Sequence, residues 1–227
     1  MRKLVKSSNV PSTLQSAPVP TCPEEVLESF YKAPDVRRQL ALDQFYKCAY
    51  CECAIPLKYN DVDHYRPKSI YYWLGHQWKN LFFACNACNR TYKKDLFPLG
   101  DETKRGDVRE EKPLIVNPYE DDPSQHIRFN RYVAIGITEA GRKTINTFHL
   151  NDRFSRPEML EGRKQLYAAY ELEFQKINKA KKLLERSDLS EEDILDIKDL
   201  IALSQKSILQ LTAAPVAYSG MLLAQIQ

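Results

Sequence analysis

Two kinds of segment are absent from this sequence, and each absence disfavours a class of protein. No apolar run approaches the roughly 20 residues that a membrane-spanning helix needs, so a membrane protein is not expected. The first residues include the basic Arg2 and Lys3, but the apolar run of a secretory leader does not follow them. We therefore expect a cytoplasmic protein whose thiols stay reduced.

An excess of one charge is also missing. The formal net charge is +3 over 227 residues, which is too small on its own to predict a nucleic-acid-binding protein. Residues 44–96 differ, because they hold eight basic residues against four acidic ones. Local positive charge suits a ligand that carries phosphates, although a solvated lysine surface would give the same count.

Four of the six cysteines form two pairs of the same spacing, Cys48 with Cys51 and Cys85 with Cys88. Each C-x₂-C pair places two thiolates on one tight turn, and two pairs complete the closed tetrahedral shell of a structural zinc site. Two disulfides are the rival arrangement, which a reducing compartment disfavours. Cys53, next to the first pair, is a candidate fifth ligand, but a small buried apolar residue is the simpler interpretation.

The segment between the pairs contains an aspartate and a histidine side by side, Asp63 and His64. Phosphodiester hydrolysis needs a base that takes a proton from water and a cation that stabilises the developing charge. The imidazole of His64 suits the first task, and the carboxylate of Asp63 suits a hard cation such as magnesium. Neighbours on a strand point to opposite faces, so we expect this pair at a strand end or bend. Asp61 is a further possible ligand, but a solvated aspartate is the simpler expectation.

Over about residues 44–96 the chain resembles the HNH endonucleases. The resemblance implies a ββα-metal site, in which a two-stranded hairpin and the following helix hold one divalent cation. The last position of the motif is asparagine here, which makes the chain an H-N-N variant. An amide oxygen suits magnesium or manganese better than softer metals.

Individual residues match the motif position by position. His64, in DVDHYRPKS, matches the first H and would be the general base, with Asp63 as a metal ligand. Asn80 matches the central N, which ties the loop back and orients the histidine. Asn89 takes the last position and would be the second metal ligand, with Asn86 as the alternative register. Five basic residues flank this site as predicted phosphate contacts: Arg66, Lys68, Arg90, Lys93 and Lys94.

Beyond the motif, the order FYKCAYCE, DVDHYRPKS, WKNL, CNACNRTYKKDLFP and LIVNPYEDDPSQHIRF resembles the HNH component of Septu-type anti-phage defence systems, which also occurs beside retrons. This resemblance covers about residues 1–150 and implies an endonuclease that acts with an ABC-type ATPase. The chain has no G-x₄-G-K-[ST] motif, so any use of ATP would belong to that partner. DNA is the favoured substrate and host RNA such as tRNA is the alternative. A non-catalytic, zinc-stabilised binding module is the alternative from another class.

The predicted fold class is α+β, with a zinc-clasped ββα-metal module embedded in a mainly helical protein. Apolar residues at alternate positions between 127 and 137 predict a short strand or hairpin. Two later apolar runs predict a C-terminal helical hairpin, with a capping box at Ser190. The expected organisation is one compact unit of four segments: an N-terminal arm, extended or flexible, with helices (1–43), the nuclease module (44–100), a loop with short strands (101–150), and a nearly charge-neutral scaffold or docking region (151–227).

Overall fold

A computed structural model describes residues 1–59 and 61–226, and this part of the chain contains seven α-helices and four short strands. The helices are α1 (Ser12–Gln15), α2 (Glu28–Tyr31), α3 (Pro34–Asp43), α4 (Glu139–Thr147), α5 (Pro157–Leu183), α6 (Glu191–Leu211) and α7 (Ser219–Ile226). The strands are β1 (Asp61–His64), β2 (Leu81–Ala84), β3 (Ile127–Asn130) and β4 (Val133–Gly136). Within the described ranges, no helix combines the length and the apolar character that a membrane crossing requires. The predicted α+β class is confirmed.

The strands form two separate antiparallel pairs, β1 with β2 and β3 with β4. In the first pair Asp63 lies opposite Phe82, and His64 lies opposite Leu81. A seven-residue helix of π geometry, Ala87–Lys93, follows β2 and is called the site helix below. The predicted order of two strands and a helix is therefore present, with the strand end at His64 where the sequence required one.

Helix α3 leads the chain into the first cysteine pair. Pro34 occupies its first turn, where a missing N–H costs nothing, and Asp35 lies near the positive end of the helix dipole. The chain then turns through Phe45 (φ 54°) and Tyr46 (φ 56°), both in the left-handed region. Such a conformation reverses the chain within two residues and stops the helix before Cys48.

The N-terminal arm lies against the rest of the protein. Met1 and Leu4 are buried, and the Leu4 amide donates to the Pro118 carbonyl at 2.8 Å. The Trp78 indole N–H donates to the Ser7 carbonyl at 3.1 Å. Residues 1–11 of the arm are without regular secondary structure and are held by hydrogen bonds and apolar burial, whereas α1 (Ser12–Gln15) is a short helix that the sequence did not predict there.

One cluster of buried apolar residues runs from Met1 to Met159 and surrounds the β1–β2 pair. Phe82 and Phe83 are fully buried, and Tyr50 stacks on Phe148 with ring centroids 4.1 Å apart. Aromatic rings of this size contribute large buried areas per residue. They supply the core that two four-residue strands could not provide alone.

The predicted C-terminal helical hairpin is present, with α5 and α6 packed on each other. The capping box is also present, because the Asp193 amide donates to the Ser190 hydroxyl and the Asp193 carboxylate accepts from the Ser190 amide. Helix α7, which the sequence did not predict, buries Met221 and Leu222 against the side of Tyr170.

The β3–β4 hairpin corrects one expectation about burial. The sequence placed the odd-numbered apolar residues on one buried face, yet Val133 and Ile135 are 40% and 46% exposed while Ala134 is buried. The chain reverses at Arg131 (φ 56°), and the odd-numbered residues change face across that turn. Helix α4 follows, capped by the Thr138 hydroxyl, in a segment predicted to contain only loop and strands.

Candidate active site

The four paired cysteines come together in one cluster. The Sγ atoms of Cys48, Cys51, Cys85 and Cys88 all lie within 4.8 Å of one another. A tetrahedral zinc with bonds of about 2.3 Å separates its sulfurs by about 3.8 Å, and the Cys51 and Cys85 Sγ atoms are 3.8 Å apart. The donor set and its spacing therefore fit zinc. All six cysteines are free of disulfides, so the rival arrangement is not found.

A thiolate cluster needs compensating positive charge. Burial raises the pKa of Cys48 and Cys88, whereas hydrogen bonding from the Cys48 thiol lowers the pKa of Cys51. Four thiolates in one buried site thus require a bound cation. Arg156, directly before α5, adds a second positive charge, with Nη1 3.5 Å from the Cys88 Sγ. This contact attaches the long C-terminal helix to the cysteine cluster.

Cys53 lies beside the cluster but outside the set of four. Its Sγ is 3.3 Å from the Cys51 Sγ, and its side chain is partly buried. Only Cys48, Cys51, Cys85 and Cys88 among the described residues are all mutually close enough to share one ion. A tetrahedral site is complete with these four.

A cleft of about 380 Å³ opens between α2, β1 and the site helix. Three of the residues predicted for chemistry, Asp63, His64 and Asn89, line it. The other lining residues come from four separate stretches of chain: Glu28, Tyr31, Lys32, Asp61, Val62, Pro67, Lys68, Arg90, Lys94 and Asp95. Most of the residues that line the cleft are charged or polar.

His64 is held in one tautomer. Its Nε2 lies 2.9 Å from the Gly75 carbonyl oxygen, which can only accept, so Nε2 carries the proton and Nδ1 carries the lone pair. Burial lowers the pKa of His64 to about 3, and the ring is therefore neutral at neutral pH. Gly75 must be glycine, because a Cβ there would lie 2.5 Å from a Val26 methyl.

The Asp63 carboxylate is buried and accepts a hydrogen bond at each oxygen. The Tyr50 hydroxyl donates to Oδ2, and the Lys93 ammonium lies 3.1 Å from Oδ1. Burial raises the pKa of Asp63, and the charge of Lys93 opposes that shift. Because a carboxylate offers about four lone-pair positions, two donors leave room for a cation.

Asp61 does not have the solvated environment expected from the sequence. Its carboxylate is buried, with Arg90 Nε at 2.5 Å and Lys32 Nζ at 3.7 Å. Burial opposes its ionisation, but the bond from Arg90 and the charge of Lys32 outweigh that effect and lower its pKa. Asp61 thus holds the side chains of Arg90 and Lys32 at the rim of the cleft.

Asn80 lies outside the lining of the cleft and bonds to the loop that joins β1 to β2. Its Oδ1 accepts from the Arg66 amide at 2.8 Å, and its Nδ2 donates to the carbonyls of Arg66 at 3.1 Å and Leu74 at 3.3 Å. These bonds fix both ends of the loop whose Gly75 carbonyl holds His64. Asn80 is thus bonded to the loop that holds His64 and does not line the cleft.

Asn89 and its alternative, Asn86, are in different surroundings. Asn89 is partly buried on the site helix and lines the cleft, whereas Asn86 is exposed and is not part of the lining. Of the two, only Asn89 lines the cleft, and its side chain hydrogen-bonds to the Asp61 carboxylate.

The five predicted phosphate contacts divide into two groups. Lys68, Arg90 and Lys94 line the cleft, and Arg90 has 61% of its side chain exposed. Arg66 instead forms an ion pair with the buried Glu111. The Lys93 ammonium is fully buried, so its position does not fit a phosphate contact. The sequence near the motif did not indicate which of these basic side chains would be buried.

Several cleft residues were missed by the sequence reasoning. Tyr31 packs edge-on against the His64 ring at 4.5 Å, and Lys32 contacts Asp61. Tyr50, which donates to Asp63, lies between the two cysteines of the first pair. The spacing of those cysteines predicted a zinc site but gave no role to the residues between them. Helix α2 is about 30 residues from β1 along the chain, and no local pattern joins the two.

The HNH endonuclease family model matches residues 48–95, from the first cysteine of the cluster to just beyond the site helix. Over 203 residues the chain is 33% identical to the Septu protein PtuB of Bacillus mycoides (strain KBAB4), which covers 76% of this chain and 67% of that protein. Over 124 residues it is 36% identical to the Septu protein PtuB of Bacillus thuringiensis, covering 53% of this chain and 43% of that one.

Proposed function

The chain belongs to the family of Septu PtuB proteins, and we propose that it is a metal-dependent endonuclease that hydrolyses phosphodiester bonds in nucleic acid as the effector of an anti-phage defence complex. The observation that carries this proposal is the cleft, which is lined by a neutral histidine, a buried carboxylate and an amide. A zinc-binding module without catalysis would need none of these three side chains.

His64 is the general base in this proposal. With Nε2 donating to Gly75, the Nδ1 lone pair is free to take a proton from the attacking water. Asn80 acts through the loop and keeps the histidine in this orientation. The ring is neutral, so it can accept a proton, which a protonated imidazolium could not do.

Asp63 and Asn89 are the proposed ligands of the catalytic cation. Their oxygens are hard donors, which favour magnesium or manganese over softer metals. When bound, the cation stabilises the charge of the phosphoryl oxygens and of the leaving group. The tetrathiolate cluster holds a different ion, zinc, and its part is to fix the hairpin and the site helix relative to each other.

Lys68, Arg90 and Lys94 are the proposed phosphate contacts, since they line the cleft and two of them are exposed. Such contacts depend on charge and not on base sequence, so specificity must come from elsewhere. DNA is the proposed substrate. The proposed partner is an ABC-type ATPase of the same system, because the resemblance implies one and the chain carries no P-loop motif.

Cleavage assays on plasmid DNA and total tRNA test this function. Zinc-loaded, full-length protein, alone and with the neighbouring ATPase, is incubated with and without added magnesium or manganese. We expect cleavage only when the second metal is added, and in the DNA pool. Omitting the metal is preferable to chelation, since a chelator also removes zinc.

The remaining outcomes are equally informative. Cleavage of tRNA alone would identify RNA as the substrate class and leave the site chemistry intact. Binding of nucleic acid without cleavage in any combination would contradict the nuclease proposal and favour a zinc-stabilised binding module.

A further inference from the structure

Lys93 is a fully buried lysine, although it is one of a run of two lysines beside the cleft. Its ammonium lies 3.1 Å from the Asp63 Oδ1 and 2.7 Å from the His64 carbonyl oxygen. It thus bonds at once to the proposed metal ligand and to the backbone of the proposed base. A buried ammonium is costly unless it is paired, and both of its partners belong to the site.

The site helix puts Lys93 there. Asn89 and Lys93 both lie on the site helix, which packs on β1. The next residue, Lys94, has φ 48°, which ends the helix and leaves its side chain exposed at the rim. Of these two adjacent lysines, Lys93 is therefore buried and Lys94 is exposed to solvent.

Asp63 and His64 are neighbours on β1, and in a regular strand their side chains would point to opposite faces. The Lys93 ammonium bonds to the side chain of one and the carbonyl of the other, so it constrains the orientation of both. Tyr50 holds the second oxygen of Asp63 from the other side. Between them, these donors fix the carboxylate and leave its remaining lone pairs for a cation.

We propose that Lys93 is a positioning residue of the cleft, which holds Asp63 in place for the divalent cation and keeps it in register with His64. The inference rests on the proposed function, because it assumes that Asp63 binds the metal. Lys93 does not touch substrate. It acts as an outer partner of a metal ligand, and loss of such a partner typically lowers metal affinity or activity by about 10- to 100-fold.

The test compares Lys93→Met with Lys94→Met in zinc-loaded, full-length protein. The binding of Mn²⁺ is measured by electron paramagnetic resonance, and cleavage is measured separately. We expect Lys93→Met to weaken Mn²⁺ binding by about 10- to 100-fold and to lower kcat. Lys94→Met is expected to raise KM for nucleic acid and to change Mn²⁺ affinity less than about twofold, since its contact is with phosphate.

Tyr50→Phe is the second variant, because Lys93→Met could unfold the module. Removing one hydroxyl keeps the ring stacked on Phe148 and frees only the Oδ2 atom of Asp63. It should weaken Mn²⁺ binding in the same direction by a smaller factor. If a folded Lys93→Met, or Tyr50→Phe where the first does not fold, binds Mn²⁺ as tightly as wild type, the inference is wrong. If wild-type protein binds no Mn²⁺ in the cleft, the proposed function fails together with it.

Discussion

Replacement of His64 by alanine is expected to slow metal-dependent cleavage by roughly 10²- to 10⁴-fold, the range that general acid–base catalysis contributes in enzymes. His64 lines the cleft, and among the residues that line it no second imidazole is present to replace it. Initial cleavage rates at saturating metal measure the effect. The substitution removes a neutral side chain, so neither zinc content nor metal binding should fall.

His149→Ala is the matched control for this loss. His149 has 45% of its side chain exposed and stacks on Tyr92, away from the cleft lining. Its removal should leave the cleavage rate within about twofold of wild type. A His64→Ala protein that keeps its zinc, its unfolding temperature and its full cleavage rate would show that the base is another group.

Replacement of Cys88 by serine is expected to have the largest effect on stability. Binding of structural zinc contributes about 10 to 16 kcal/mol in small zinc modules, and a hydroxyl cannot replace a thiolate in a closed four-sulfur shell. The Arg156 guanidinium would lose its sulfur partner at the same time. We predict loss of bound zinc and loss of the cooperative thermal unfolding transition of the module.

Cys22→Ser controls for the loss of a thiol as such. Cys22 lies outside the cluster, just before a short helical turn at Pro23, and should be replaceable with little change in zinc content or unfolding temperature. Zinc is quantified by a colorimetric chelator after denaturation, and unfolding by circular dichroism. A Cys88→Ser protein with a full complement of zinc and a wild-type transition would disprove the structural role of the cluster.

The zinc cluster and the helical hairpin were predictable from the sequence for the same reason. Each rests on a local spacing that the backbone converts directly into geometry, two residues between cysteines in one case and helical periodicity in the other. The strand-end position of His64 also followed, because only a strand end lets Asp63 and His64 share a site.

The partners of individual charged residues could not be predicted in this way. Lys93 and Lys94 are adjacent and identical in type, yet one is buried against Asp63 and the other is exposed. Which one is buried depends on where the site helix ends and how it packs on β1. Tyr31, on α2, packs against the His64 ring. Arg66 forms an ion pair with Glu111, which lies 45 residues away along the chain. Long-range contacts of this kind leave no local pattern.

The position of a bound Mn²⁺ ion tests the central claim most directly, that one cleft brings a divalent cation to the base His64. Crystals of the zinc-loaded protein are soaked in Mn²⁺, and anomalous scattering locates the metal. The account predicts a peak about 2 Å from a carboxylate oxygen of Asp63 and from the amide oxygen of Asn89, the bond length of hard-cation sites. A manganese peak at Asn86, at Asp61 without Asp63, or nowhere in the cleft would contradict it.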